Sequence, residues 1–116
     1  MRKTRVYIAG PYTLGDVAHN VASAIDAADD LVNYGFAPYV PHLTHFWHMM
    51  HPRKWEEWMA LDNEWLRACD TVLRLPGKSK GADIECAAAR EMGLPVYDNL
   101  ADLLEELGTE VTITAG

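Results

Sequence analysis

The chain has 116 residues, of which 49% are hydrophobic and 23% charged, a composition typical of a globular domain. Seventeen Asp and Glu against ten Lys and Arg give a net charge of −7, which argues against a surface for a nucleic-acid polymer. Cys69 and Cys86 lack metal-site spacing. The first apolar run is too short for a signal peptide or a membrane span, so we expect a cytoplasmic protein without membrane contact.

The first third of the chain predicts a strand, a helix and a second strand. Residues 6–9 are β-forming and end at a Gly-Pro turn. Asp16 is the predicted N-cap of the helix, and Gly35 ends it. Its core face is predicted from apolar residues at helical spacing: Val17, Val21, Ile25, Ala28 and Leu31 or Val32. Residues 36–40 predict a weaker strand, because prolines interrupt them.

The same alternation continues to residue 107. One helix carries an apolar stripe made of Trp55, Trp58, Met59, Trp65, Leu66 and Cys69. Strands are predicted at 71–75 and 95–97, and helices at 82–92 and 100–107. We therefore expect an α/β fold, with helices on both faces of a small doubly wound, flavodoxin- or Rossmann-like parallel sheet of about four to five strands. Residues 1–108 form the predicted domain, and residues 109–116 a C-terminal tail or edge strand.

Ligands of such folds bind beyond the carboxyl ends of the strands, which here means the loops at 10–12, 41–52 and 76–81. In the third loop, Lys78, Ser79, Lys80 and Gly81 precede a helix, an arrangement typical of a small anion site. An ordinary serine N-cap flanked by exposed lysines explains the same residues equally well.

Two carboxyl groups are candidates for chemistry. Glu85 lies near the start of its helix, where the helix dipole favours a carboxylate, so we expect it to be ionised at neutral pH. Asp62 falls within the apolar stripe, where a pKa shift typical of active sites is expected. The plainer alternatives are a dipole-stabilising glutamate and a buried aspartate that caps backbone groups. Together the two carboxyls would suit retaining glycosyl transfer at a sugar C1.

Histidines recur at every third position in the second loop, as His42, His45, His48 and His51. On an α-helix such steps precess by about 60°, so the four cannot converge unless the segment is non-helical. We predict no metal ligands, although a metal site is an alternative for these histidines. The favoured interpretation is a wall of histidines and aromatic residues, including Trp47, against a planar ligand such as a nucleobase.

Three motifs occur in order along the chain: VYIAGPY at 6–12, DNEWL at 62–66 with Asp70 beyond it, and SKGADIE at 79–85. Their order and spacing resemble the nucleoside 2-deoxyribosyltransferase family, including its 2′-deoxynucleoside 5′-monophosphate N-hydrolase-like branch. The resemblance covers nearly the whole chain. It implies a homodimer or higher homo-oligomer that cleaves N-glycosidic bonds of nucleosides or nucleotides, and we expect no cofactor.

By position, Glu85 resembles the family nucleophile that attacks C1′ and forms a covalent glycosyl-enzyme. Tyr7 resembles the tyrosine that orients this glutamate, and Asp62 the aspartate that contacts the base and assists its protonation. Ser79 resembles the serine that tolerates a 5′-phosphate in the branch acting on nucleotides. The expected substrate-binding residues are Gly10, Tyr12, Trp47, Ser79, Lys80 and Gly81.

The resulting hypothesis is cleavage of (deoxy)nucleoside 5′-monophosphates to free base through a glycosyl-Glu85 intermediate. One alternative is a transferase that exchanges bases on unphosphorylated deoxynucleosides. Another, from a different class, is a non-catalytic nucleotide-binding or sensor domain.

Overall fold

Strands and helices alternate in the computed structural model, which describes residues 2–108. Within this range the strands are β1 (Arg5–Ala9), β2 (Ala37–Tyr39), β3 (Thr71–Arg74) and β4 (Val96–Tyr97). The α-helices are α1 (Val17–Asn33), α2 (His45–Met50), α3 (Trp55–Arg67), α4 (Lys80–Glu91) and α5 (Leu100–Leu107), and Pro41–Thr44 forms a 3-10 helix. The predicted tail or edge strand at 109–116 lies outside the described residues.

The strands form a parallel sheet in the order β2-β1-β3-β4. Tyr7 in the middle of β1 lies opposite Tyr39 of β2 on one side and Val72 of β3 on the other. The chain therefore leaves β1 toward one edge of the sheet and later returns to its other side. Such a switch of direction opens a crevice at the carboxyl ends of β1 and β3. The predicted α/β fold is confirmed.

Side chains of β1 alternate between two hydrophobic cores, as the pleat of a strand requires. Val6 and Ile8 face one core, whose helical members come from α1 and α5. Tyr7 and Ala9 face the other, whose members come from β3, α3 and α4. All four side chains are completely buried. Helices thus cover both faces of the sheet, as predicted.

The helix boundaries and the core face of α1 differ from the sequence prediction in detail. Ile25 is 42% exposed, so its assignment to the core is wrong. The buried line of α1 is Val21, Ala24, Ala28 and Leu31. The small side chain of Ala24 takes the sheet-facing position, and adjacent helix positions point about 100° apart. Helix α4 begins two residues earlier than predicted, because Ser79 caps it: the Ala82 N–H donates to Ser79 Oγ at 3.1 Å.

Two tryptophans of the predicted apolar stripe on α3 lie half-exposed rather than in the core. Trp55 is 48% exposed and Trp65 is 50% exposed, whereas Leu66 is fully buried. Trp65 stacks on Tyr39 of the edge strand, with ring centroids 5.6 Å apart. The stripe is therefore split between core contacts and surface contacts. Among residues 2–108, no helix has the length and apolar character needed to cross a membrane.

Candidate active site

A cavity of about 510 Å³ lies at the carboxyl end of the sheet. All three predicted loops contribute to its wall, with Gly10, Tyr12, Thr13 and Leu14 after β1, Pro41, His42, Thr44 and His48 after β2, and Ser79, Lys80 and Gly81 after β3. Helices α3 and α4 supply Asp62 and Glu85. The structure thus brings together both carboxyl groups that the sequence singled out.

Gly10 allows the first and third loops to approach each other. A Cβ atom built on Gly10 would lie 3.0 Å from Cβ of Leu75, which follows β3. The Leu75 N–H donates to the Ala9 carbonyl at 2.8 Å, so the backbones of the two loops meet at this point. The glycine therefore helps to shape the cavity floor as well as lining it.

Tyr7 lies beneath the cavity and holds Glu85. Its hydroxyl donates to Glu85 Oε2 at 2.5 Å, which links the central strand to α4. Tyr7 is fully buried and is not part of the cavity wall. Burial and the nearby carboxyl groups raise the pKa of Tyr7 far above its usual range, so its hydroxyl remains a donor. Oε2 of Glu85 is therefore already hydrogen-bonded within the protein, to the Tyr7 hydroxyl.

Glu85 is not fully ionised at neutral pH, so that expectation is wrong. Burial raises its pKa to about 7, the negative charge of Asp62 acts in the same direction, and the Tyr7 hydrogen bond opposes both. Glu85 also lies in the second turn of α4, which begins at Lys80. The helix dipole acts mainly within the first turn, so here desolvation decides the pKa.

Asp62 is 8% exposed on α3 and lines the same cavity. Within residues 2–108, its Oδ1 is buried and has no hydrogen-bond partner, so this oxygen caps no backbone group. Burial raises the pKa of Asp62 to about 6. A buried carboxyl oxygen without a partner, on a residue that lines a cavity, calls for a partner that a ligand can supply.

The aromatic wall comes from α3 rather than from Trp47. Trp47 is 46% exposed, lies outside the cavity lining and packs edge to face on Trp58 at 5.1 Å. Trp55, Trp58 and Met59 line the cavity instead. The sequence pattern placed them in the core because it does not distinguish a core from a pocket. Their helical spacing to Asp62 was the signal that could have identified them.

Three of the four histidines of the second loop form local hydrogen bonds, each through one ring nitrogen. His42 Nε2 contacts the Pro11 carbonyl at 3.0 Å, and His45 Nδ1 contacts the Tyr12 hydroxyl at 2.5 Å. The Trp58 indole N–H donates to His48 Nδ1 at 2.8 Å. His51 is exposed. Across residues 2–108, no three His, Cys, Asp or Glu side chains are grouped to hold a metal ion.

Cations lie on the cavity wall beside the third loop, residues 76–81, which we call the anion loop after the site predicted there. Lys80 places its ammonium 5.9 Å from the centre of the Trp55 ring. Arg53, which the sequence analysis missed, also lines the cavity and pairs with Glu57 at 3.1 Å. Lys78 is exposed and is not part of the lining. Ser79 acts as the helix N-cap, yet its hydroxyl hydrogen can still be donated to a ligand.

Residues 4–99 match the model of a protein family described as a domain of unknown function, DUF7768. The chain belongs to this family. No curated protein matches the sequence.

Two solved structures with similar folds are 2-deoxyribosyltransferases. The enzyme of the psychrotolerant bacterium Bacillus psychrosaccharolyticus has a TM-score of 0.60 and 18% identity, over 84% of this chain and 76% of that one. The 2-desoxiribosyltransferase from Leishmania mexicana has a TM-score of 0.59 and 19% identity, over 94% of this chain and 74% of that one. At these identities the likeness concerns the fold, and it confirms the fold that the motif resemblance implied.

We predict that Glu85→Gln stabilises the DUF7768 fold at about pH 8. The folded-state pKa of Glu85 is about 7, above its ordinary 4.5. The folded protein therefore keeps a proton that the unfolded chain releases, and stability falls as pH rises between these values. Glutamine removes this loss, which is about 3 kcal/mol at pH 8. Urea denaturation at about pH 5 and pH 8 measures the difference.

The matched control is Glu91→Gln, an exposed position near the end of the same helix. The free energy of unfolding of this variant should equal that of the wild type at both pH values. If Glu85→Gln loses stability with rising pH as steeply as the wild type, the raised pKa of Glu85 is wrong.

Proposed function

We propose that this protein cleaves the N-glycosidic bond of (deoxy)nucleoside 5′-monophosphates and releases the free base. The observation that carries this proposal is that Glu85 and Asp62 line one cavity while Tyr7 holds the Glu85 carboxyl by a 2.5 Å hydrogen bond. Two carboxyl groups facing one sugar are what a retaining N-glycosidic cleavage requires. The fold shared with 2-deoxyribosyltransferases supports the same chemistry.

In the first step, an oxygen of the Glu85 carboxylate forms a bond to C1′ of the sugar. The bond between C1′ and the base nitrogen breaks, its electron pair stays with the base, and Asp62 supplies a proton to the base. Tyr7 binds Oε2, which leaves Oε1 for the attack. In the second step, water attacks C1′, its proton passes to Asp62 or the solvent, and Glu85 is released.

This sequence needs an ionised Glu85 and a protonated Asp62 at the same time. The pKa values of about 7 and about 6 make both groups titrate close to neutral pH. Each proton therefore moves at a modest free-energy cost near pH 7, which suits general acid–base chemistry. The negative charge of Asp62 also disfavours ionisation of Glu85.

The anion loop supports the phosphate in the proposed substrate. Ser79 offers a hydroxyl, Gly81 lies at the start of α4, and Lys80 and Arg53 add positive charge on the same wall. A phosphate at a helix N-terminus gains both backbone N–H groups and the helix dipole. These groups counter the repulsion expected from a net charge of −7.

We predict that the wild type releases base from a deoxynucleoside 5′-monophosphate and that Glu85→Gln lowers kcat by about 1,000-fold or more, because the nucleophile is lost. Asp62→Asn should lower it by about 100-fold, most strongly for bases that leave poorly without a proton. Chromatography of the free base measures turnover, and intact mass spectrometry detects the sugar on Glu85.

Glu91→Gln is again the control and should turn over like the wild type. Adding a second base distinguishes transfer from hydrolysis, since base exchange on an unphosphorylated deoxynucleoside would replace the proposal by the transferase alternative. Tight nucleotide binding without release of any base would instead support the non-catalytic domain.

We predict that Lys80→Gln weakens the preference for a 5′-phosphate over a 5′-hydroxyl. The lost charge-assisted contact should reduce the ratio of kcat/KM for nucleotide over nucleoside by about 10-fold. The control is Lys78→Gln, two residues away, which removes an equal charge outside the cavity lining. If both substitutions lower the nucleotide-to-nucleoside ratio of kcat/KM equally, the preference comes from the overall electrostatic field of the lysines and not from a specific phosphate site.

We propose that the protein acts as a homo-oligomer, as the motif resemblance implies. Around α2, which forms part of the segment beside the cavity, large apolar side chains lie exposed. Their exposed fractions are 65% for Phe46, 64% for Met49 and 77% for Met50. A contiguous apolar surface of this kind is typical of a protein interface.

We predict at least a dimer in sedimentation equilibrium and a shift to monomer for Phe46→Glu with Met50→Glu, because burying two charges opposes association. The control pair is Ile25→Glu with Val32→Glu, which places the same charges at exposed apolar positions on α1. A wild type that stays monomeric at high concentration would refute the oligomer. If only the control pair dissociates the oligomer, the interface lies on α1 and not on α2.

A further inference from the structure

His42 is a buried cavity residue that the proposed reaction does not use. It is 5% exposed and lines the cavity from the 3-10 helix after β2. Its Nε2 lies 3.0 Å from the Pro11 carbonyl. A carbonyl oxygen only accepts hydrogen bonds, so Nε2 must carry a hydrogen and donate it. In the neutral ring, Nδ1 is then an acceptor with a free lone pair.

This acceptor has no hydrogen-bond partner among the residues that the structure describes. Within residues 2–108, Nδ1 of His42 is buried and forms no hydrogen bond, and Asp62 Oδ1 is in the same condition. Both residues belong to the same cavity. Burial lowers the pKa of His42, which keeps the ring neutral near pH 7. A ligand that supplied a hydrogen-bond donor would satisfy a group that the fold leaves unsatisfied.

The topology places His42 at the end of the site away from the phosphate. His42 follows β2, Ser79 and Lys80 follow β3, and β1 lies between these strands in the sheet. Two strand spacings amount to about 10 Å. A nucleotide bridges that distance when its phosphate is at the anion loop and its base is near His42 and Trp58. In this orientation the part of the nucleotide nearest to His42 is the base.

We propose that His42 selects nucleotides whose base carries an exocyclic amino group, by accepting an N–H hydrogen bond at Nδ1. The inference rests on the proposed function, because it takes the ligand of the cavity to be a nucleotide. Adenine and cytosine present an amino group at this edge. Hypoxanthine and uracil present a carbonyl oxygen, whose lone pair would face that of Nδ1. The Pro11 carbonyl opposes the tautomer change that could relieve this repulsion.

The test compares 2′-deoxyadenosine 5′-monophosphate with 2′-deoxyinosine 5′-monophosphate, which differ at this group. Binding is measured by calorimetry and turnover by base release. In the wild type we expect the adenine nucleotide to be favoured by roughly 10- to 100-fold, the usual effect of leaving a buried acceptor unpaired. For the pyrimidines, we expect the cytosine nucleotide to be favoured over the uracil nucleotide in the same way.

Two substitutions distinguish the roles of the two ring nitrogens of His42. His42→Gln can keep a donor near the Nε2 position while losing the Nδ1 acceptor, so the preference should fall to about twofold or less. His42→Asn can keep an acceptor near the Nδ1 position and should retain most of the preference, although it loses the bond to Pro11. His19→Gln, an exposed position on α1, is the control and should keep the wild-type ratio. Thermal denaturation of each variant confirms that it is folded.

The outcomes separate this inference from the proposed function. Equal binding and turnover of both nucleotides by the wild type would overturn the role of His42 while leaving N-glycosidic cleavage intact. A His42-dependent preference in binding, without release of base, would support His42 and refute the cleavage. If a 3′-deoxy nucleotide reproduces the effect of removing the amino group, the donor is a sugar hydroxyl, and selection of the base is refuted. Equal losses for both nucleotides in His42→Gln would show a purely structural role.

Discussion

The alternation of side chains along β1 is the constraint on which the rest of the molecule depends. Because β1 is covered on both faces, every second side chain must enter the same core. Tyr7 therefore carries a hydroxyl group into an apolar layer, where it needs a hydrogen-bond partner. Glu85 supplies that partner from α4. The contact fixes α4 against the central strand and holds Glu85 where it lines the cavity.

The charges of the site are arranged as an acidic interior with a basic rim. Glu85 and Asp62 are largely removed from water, and the charge of Asp62 further disfavours ionisation of Glu85. The positive side chains, Lys80 and Arg53, lie on the wall near the start of α4 and α3. Burying two carboxyls in this way reduces stability at neutral pH, and such a cost is typical of a site kept for chemistry.

Apart from α2, which lies in the predicted second loop, the sequence was sufficient to predict the fold, because the other strands and helices carry their own patterns and turn residues mark most of their ends. It also identified Glu85 and Asp62, which lie next to local signals: a glycine-rich helix start and an interrupted apolar stripe. The protonation of Glu85 was not predictable in this way, since it depends on burial between elements far apart in the chain. The aromatic wall was missed for a related reason. Trp58 has the same spacing whether it faces a core or a pocket, and only the tertiary packing decides between them.

The cavity is assembled from two parts of the chain with different freedom to change. Tyr7 and Glu85 belong to the central strand and to a helix packed on it, so neither can be moved without disturbing the core. Most of the aromatic and histidine wall comes from one continuous stretch between β2 and the middle of α3, much of it on the surface. Surface segments accept substitution and insertion more readily than buried strands. Relatives with this framework could therefore change the lining of the cavity by changing that stretch alone, while Tyr7 and Glu85 stay in place.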